Sequence, residues 1–292
     1  MRIQGTYTAL VTPFRDGAFD RPAFIQLIES QIDAGITGVV PVGTTGESPT
    51  VSHAEHVEII RVAVEVAAGR CQVIAGTGSN STDEAISLTQ EAEKLGADAA
   101  LIVAPYYNKP SQEGLYRHYR KIAESVKFPI VLYSIPGRCG VEIGVETTRR
   151  LAADCPNIGS IKEAGGSVER VNQLRQALPE NFTIISGDDS LTLPFLSAGA
   201  VGVISVASNL IPAEVGALVQ AWLEGNPQKA QEIHRHFYPL FKDLFIEPNP
   251  VPAKYLLSRQ GKMTEEVRLP LCEISEAARQ QLTRTAQALH LI

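Results

Sequence analysis

A chain of 292 residues with 44% hydrophobic and 20% charged residues can bury a large core in one or two domains. Its net charge of −6 opposes a nucleic-acid partner, whose phosphates need a basic face, and no apolar run reaches bilayer length or forms a signal-peptide core. Cys71, Cys139, Cys155 and Cys272 are far apart and form no C-x-x-C, which argues against zinc and for reduced thiols in a cytoplasmic protein.

The first strand is expected over 7–12, where β-branched and aromatic residues cluster. Asp20 and Pro22 then start a helix whose Phe24, Leu27, Ile28 and Ile32 share a face, and Gly35 stops it. A strand over 38–42 leads into Gly43-Thr44-Thr45-Gly46-Glu47. Ser52 and Glu55 have capping-box spacing and open a helix with Val57, Ile60 and Val64 inward, closed near Gly69. A strand over 72–75 precedes a second capping-box pair, Ser81 and Glu84, whose helix ends at Leu95-Gly96.

The alternation continues with strands over 99–104, 130–133, 158–162, 183–186 and 201–205. Helices are expected near 111–126, 145–153, 168–178, 191–198 and 212–224. Eight short apolar strands alternating with amphipathic helices imply an α/β fold, a (β/α)8 TIM barrel over residues 1–224. A doubly wound open sheet is the competing arrangement. Residues 225–292 show helical stretches interrupted by Pro248, Pro250 and Pro252 and read as a C-terminal helical extension.

In such barrels the chemistry sits in the loops after the strands. There the sequence places Thr44 and Thr45, then Tyr106, Tyr107 and Asn108, then Tyr133 and Arg138, and Lys162 at the end of the sixth strand. Any one of these has an ordinary explanation: a strand-end lysine is usually solvated, and threonines often cap turns. Together they suit imine chemistry. A buried lysine loses its proton more readily and can attack a ketone, a phenol beside a hydroxyl can shuttle the protons, and a guanidinium fork suits a carboxylate. The set implies two carboxylate-bearing substrates, one held covalently.

Gly43 to Glu47, Tyr133-Ser134-Ile135-Pro136-Gly137-Arg138, Ile161-Lys162-Glu163-Ala164 and Glu247-Pro248-Asn249-Pro250 together resemble dihydrodipicolinate synthases over essentially the whole chain. The resemblance implies that Lys162 forms a Schiff base with pyruvate and that no separate cofactor or metal is used. It further implies that Tyr133 is the general acid/base, linked through Thr44 to Tyr107 of a neighbouring subunit. Thr45 and the backbone at Ile204 would hold the pyruvate carboxylate, and Arg138 that of aspartate semialdehyde. A homotetramer, a dimer of dimers, is the implied assembly. Ser134 and Cys139 depart from the asparagine and threonine usual in the family, which bears on loop geometry and second-substrate preference. His53, His56, Asn80, Glu84 and Tyr106 match positions where lysine-inhibited members bind the end product; His53 and His56 alone are weak evidence for metal.

Two other functions compete: an aldolase or dehydratase of sugar acids, like N-acetylneuraminate lyase, and a catalytically silent barrel. Arg138, Thr45 and the Glu-Pro-Asn-Pro motif oppose the first, and the intact Lys162, Tyr133, Thr44 and Tyr107 set opposes the second. Gly76-Thr77-Gly78-Ser79 lacks the Gly-Lys-Ser/Thr of a phosphate loop.

Overall fold

Residues 2–292 are described by a computed structural model. Eight parallel strands, Gly5–Ala9, Gly38–Val40, Gln72–Gly76, Ala99–Val103, Ile130–Ser134, Ile158–Glu163, Thr183–Ser186 and Gly202–Ser205, close into one barrel. Each pairs with its neighbours in chain order, and the first closes the ring by pairing with the second and the eighth. The open-sheet alternative is thereby removed.

Side chains alternate along each strand with period two. Tyr7, Val40, Ile74, Leu101, Val131, Tyr133, Ile185 and Ile204 fill the barrel interior. Their neighbours, such as Leu132, Ile161 and Ile184, face the surrounding helices. Burying a side chain of this size contributes roughly 1.5–3 kcal/mol, so the two faces together account for why short strands suffice.

Several local expectations need correction. The first strand ends at Ala9, because Thr12 already bonds the Gly46 carbonyl (2.7 Å) in the loop that follows the second strand. A small hairpin, Phe14–Arg15 with Ala18–Phe19, intervenes before the first helix, Arg21–Asp33. In that helix Phe24, Leu27 and Ile28 are buried, while Ile32 lies at the edge of the stripe.

The capping box at Ser52 and Glu55 forms and opens the helix His53–Ala67. Its inward face is His56, Ile59, Ile60, Ala63 and Ala67, at helical spacing, whereas Val57 and Val64 are half-buried flanks. At the next helix, Thr82–Leu95, Ser81 caps the Glu84 N–H, but the box is not completed. The Glu84 carboxylate turns instead to the Ser79 hydroxyl, and that hydroxyl accepts the Ser81 N–H (3.0 Å).

After the eighth strand and helix Pro212–Leu223 come Pro227–Asp243, Val251–Arg259 and Glu276–Ala288. Pro252 does not break the second of these. It sits in the first helical turn, where a missing N–H costs no hydrogen bond. Phe241, Leu244, Leu256 and Leu257 of this extension share one apolar cluster with Ile60, Leu218 and Val219 of the barrel helices. Residues 225–292 therefore rest on the barrel through a common core.

Candidate active site

The sixth strand turns Ser160 and Lys162 inward and Ile161 and Glu163 outward, and its register sets Lys162 beside Tyr133 on one side and Ile185 on the other. Lys162 is only 6% exposed. Its Nζ lies 4.3 Å from the centre of the Tyr133 ring. Burial pulls the Lys162 amine down to about 7; the Asp189 carboxylate opposes this and the Arg138 charge adds to it. Near neutral pH a large share of Lys162 is therefore free amine, the form that attacks a carbonyl.

Tyr133 is pushed the other way, up to about 12, mainly by burial, with the Thr44 hydroxyl and Arg138 partly offsetting it. It stays a neutral phenol at pH 7 and can donate a proton. A nucleophile that gives up its proton easily thus faces an acid that keeps its own, which is the separation that acid–base work requires.

Thr44 and Thr45 stand on a loop with a left-handed residue at each end, Val42 (φ 51) and Glu47 (φ 55). A β-branched residue pays for that conformation in strain, so the surroundings must enforce it. They do so from the extension. The Lys254 ammonium donates to the Glu47 carboxylate at 2.6 Å with both side chains fully buried, and the Arg268 N–H donates to its other oxygen at 3.0 Å. Asn249 donates its amide to the Thr45 hydroxyl at 2.9 Å. Arg268 also grips both Glu55 oxygens (2.9 and 2.7 Å) and the Thr50 carbonyl (3.0 Å).

Arg138 lies on a single helical turn, Pro136–Cys139, at the rim, exposed and close enough to bias both Lys162 and Tyr133. Cys139 beside it is buried, its thiol raised to about 11 by burial. Ile204 is buried on the eighth strand. The backbone just beyond it is fixed by Asp189, whose Oδ2 accepts the N–H groups of Val206 and Ala207, each at 3.0 Å.

Lys162, Tyr133, Thr44, Thr45, Arg138 and Ile204 are thus gathered at one mouth. Tyr107 does not join them within the chain. It is 88% exposed and holds a left-handed backbone (φ 75), an outlier for an aromatic residue. Asn108, also exposed, donates its amide to the Asn80 carbonyl at 2.9 Å.

Four residues of the site region escaped the sequence. Asp189 follows the seventh strand, where the barrel rule would have found it. Asn249 and Glu47 lie in motifs that were recognised, but their partners are about 200 positions away in the chain. Gly187 leaves room that any side chain would take: a Cβ there would meet Lys162 Cε at 3.0 Å.

His53, His56, Glu84 and Tyr106 line a separate cavity of about 130 Å³ with Ser48 and Leu88. The His56 ring Nε2 faces the Gly76 carbonyl at 2.7 Å, so it carries the proton, and burial lowers the ring's pKa. Asn80 holds the edge of this cavity by donating to the Tyr106 carbonyl at 3.2 Å. No group of three or more metal-ligating side chains forms among the described residues, and no helix among them is long and apolar enough to cross a membrane.

Comparison with known proteins gives one consistent family. Residues 2–289 match the model of the dihydrodipicolinate synthetase family. The 4-hydroxy-tetrahydrodipicolinate synthase of Syntrophus aciditrophicus is 50% identical over 289 residues, covering 99% of each chain. The structure of the synthase from Methylacidiphilum fumariolicum SolV superposes with a TM-score of 0.97 at 55% identity, covering 99% of each chain. Two further dihydrodipicolinate synthase structures, each 43% identical, were solved with ligands. That from Acinetobacter baumannii is complexed with pyruvate (TM-score 0.97; 99% and 100% covered). That from Cyanidioschyzon merolae has lysine bound (TM-score 0.96; 99% of each covered).

Proposed function

The chain belongs to the dihydrodipicolinate synthetase family, and from that premise we propose that its barrel mouth condenses pyruvate with L-aspartate 4-semialdehyde. The enzyme is a lyase, and the reaction is that of 4-hydroxy-tetrahydrodipicolinate synthase, the first committed step towards diaminopimelate and lysine. The observation that carries the assignment is the buried Lys162 amine, lowered to about 7, set against the neutral phenol of Tyr133.

Lys162 attacks the pyruvate ketone, and the carbinolamine loses water as Tyr133 donates a proton. The imine then gives up a methyl proton and becomes an enamine, whose carbon attacks the aldehyde. The amino group of the second substrate next attacks the imine carbon, closing the ring and releasing Lys162. Every electron pair comes from the two substrates and the lysine, so no separate cofactor is needed. Thr45 and the backbone around Ile204 supply donors for the pyruvate carboxylate.

Thr44 passes protons between Tyr133 and a Tyr107 supplied by a second copy, an arrangement supported by the exposed, strained placement of Tyr107. The assembly we propose is a homotetramer built from two such dimers, and the compartment is the cytoplasm. The family match and the named relatives favour this reaction over cleavage of sugar acids.

Arg138 is assigned to the semialdehyde carboxylate. Removing a charge-assisted, forked contact costs about 1.5–3 kcal/mol, so Arg138→Ala should raise the semialdehyde KM by roughly 10- to 100-fold. Pyruvate should still be trapped on Lys162 by borohydride. A coupled reductase assay reads the first and peptide mass mapping the second; loss of trapping with an unchanged semialdehyde KM would reverse the assignment.

The small cavity at His53, His56, Glu84 and Tyr106, with Asn80 at its edge, is proposed as a feedback site for lysine. Glu84 suits the ligand's ammonium, and the lysine-bound relative shows that the family can take this ligand. Initial rates should fall at millimolar L-lysine, and a flat response would remove the site.

A further inference from the structure

We propose that Arg170 is a positioning residue that holds the Arg138 loop against the strand carrying Lys162, and so sets the distance between the two substrate-binding groups. The proposal rests on the role assigned to Arg138 above.

Arg170 is an odd choice on stability grounds. It is buried in the first turn of the helix Val168–Ala177, where the helix dipole disfavours a cation. Buried ion pairs are also frequently no better for stability than apolar residues of similar size. What the guanidinium offers instead is a rigid fork reaching three groups in fixed directions.

Its Nε donates to the Glu163 carboxylate at 2.7 Å, and one terminal nitrogen donates to the Ile143 carbonyl at 2.5 Å. The other terminal nitrogen lies 3.2 Å from the Glu142 carboxylate. Glu163 directly follows Lys162 and faces out of the barrel. Glu142 and Ile143 end the loop that leaves the Arg138 turn through Gly140. One side chain therefore ties the strand under the nucleophile to the loop of the rim cation.

The joint is tightened on both sides. Glu163 uses its second oxygen to accept the Gly165 N–H at 2.6 Å, and its own carbonyl accepts the Gly187 N–H at 2.8 Å. A Cβ at position 165 would sit 2.6 Å from the Glu163 carboxylate, so only glycine permits this approach. The Ile143 N–H meets the Ser134 hydroxyl at 3.4 Å, a long contact to the residue after Tyr133. Ile143 is thus held from both ends of its peptide, by the fifth strand and by Arg170.

The loop does not owe its existence to Arg170. Gln112 grips its far side, donating to the Glu142 carbonyl (2.9 Å) and accepting the Gly144 N–H (2.8 Å). Losing the fork should shift the loop without melting it.

The test uses Arg170→Lys, which keeps the charge and loses the fork, with Arg170→Met as a second variant, each alone and combined with Arg138→Ala. Misplacing a binding group by about 1 Å can cost up to roughly 100-fold, so Arg170→Lys should lower kcat/KM for the semialdehyde by about 10- to 100-fold. Borohydride trapping of pyruvate and the pyruvate KM should stay near those of the unaltered enzyme. In the Arg138→Ala background the same change should cost little more, because both act through one contact. Additive losses, or a proportional fall in pyruvate and semialdehyde use together with thermal stability, would mark Arg170 as merely structural and overturn the proposal. A semialdehyde KM indifferent to Arg138→Ala would instead overturn the role of Arg138 and this proposal with it, whatever Arg170 does.

Discussion

Lys162→Ala is expected to abolish the borohydride-trapped pyruvate adduct and to lower kcat by about 10³-fold, equivalent to roughly 4 kcal/mol of barrier. Lys162 is the amine set against the Tyr133 ring, at 4.3 Å from its centre, so its removal takes the nucleophile away from the proposed acid. Trapping should also report the amine's environment. A lysine at its ordinary value near 10.5 would be almost wholly protonated at pH 7, whereas one lowered to about 7 is near half free.

Trapping in the unaltered enzyme should therefore rise with pH through about 7 and level off well below 10. A limb that keeps climbing to pH 10 would contradict the buried-amine account. The same shift has a thermodynamic sign. Between about 7 and 10.5 the unfolded chain binds more protons at this residue than the folded one. Lys162 by itself thus makes folding stability increase with pH across that window. The strain of housing a desolvated amine is greatest on the acidic side, where the barrel must hold it against protonation.

Lys254→Met should be the most damaging single change outside the chemistry, lowering unfolding free energy by about 3–5 kcal/mol. It leaves the Glu47 carboxylate fully buried without its ammonium, 2.6 Å away in the intact pair. The Arg268 N–H remains, but one neutral donor does not replace a counter-ion. Phe14, whose ring Lys254 and Arg268 flank at 4.4 and 4.1 Å, loses one side of that arrangement.

Urea unfolding should show the loss, and the double variant Glu47→Gln with Lys254→Met should recover part of it by removing the orphaned charge. Activity should fall as well, because Glu47 anchors the strained end of the loop that carries Thr44 and Thr45. A single variant within 1 kcal/mol of the unaltered enzyme, about the value of an exposed pair, would mean that solvent already screens the pair.

The barrel was legible because its units are local. Apolar runs in strands of three to six residues, capping serines at 52 and 81, and glycines at helix ends each act within a few positions. Errors arose where a nearby side chain offered a better partner than the local rule supplied. Glu84 chose the Ser79 hydroxyl over the Ser81 N–H. Val57 and Val64 lost the core face to His56 and Ala63, since which stripe of an apolar-rich helix turns inward depends on what it packs against.

The site divides in the same way. By itself the sequence determined the inventory: a lysine ending the sixth strand, Tyr133 and Arg138 on the fifth strand and its loop, paired threonines after the second, and motifs that resemble one family. Residue type, strand parity and the barrel rule are enough for that. Only the tertiary structure decided what those groups can do. The lowered amine of Lys162 comes from burial between Tyr133 of the fifth strand and Ile185 of the seventh, against the opposing pull of Asp189 in the loop after the seventh. The Thr44 and Thr45 loop is held by Asn249 and Lys254 from across the chain, and the Arg138 turn by Arg170. Desolvation and ion pairing depend on distance in space, which spacing along the chain does not encode until the barrel has closed.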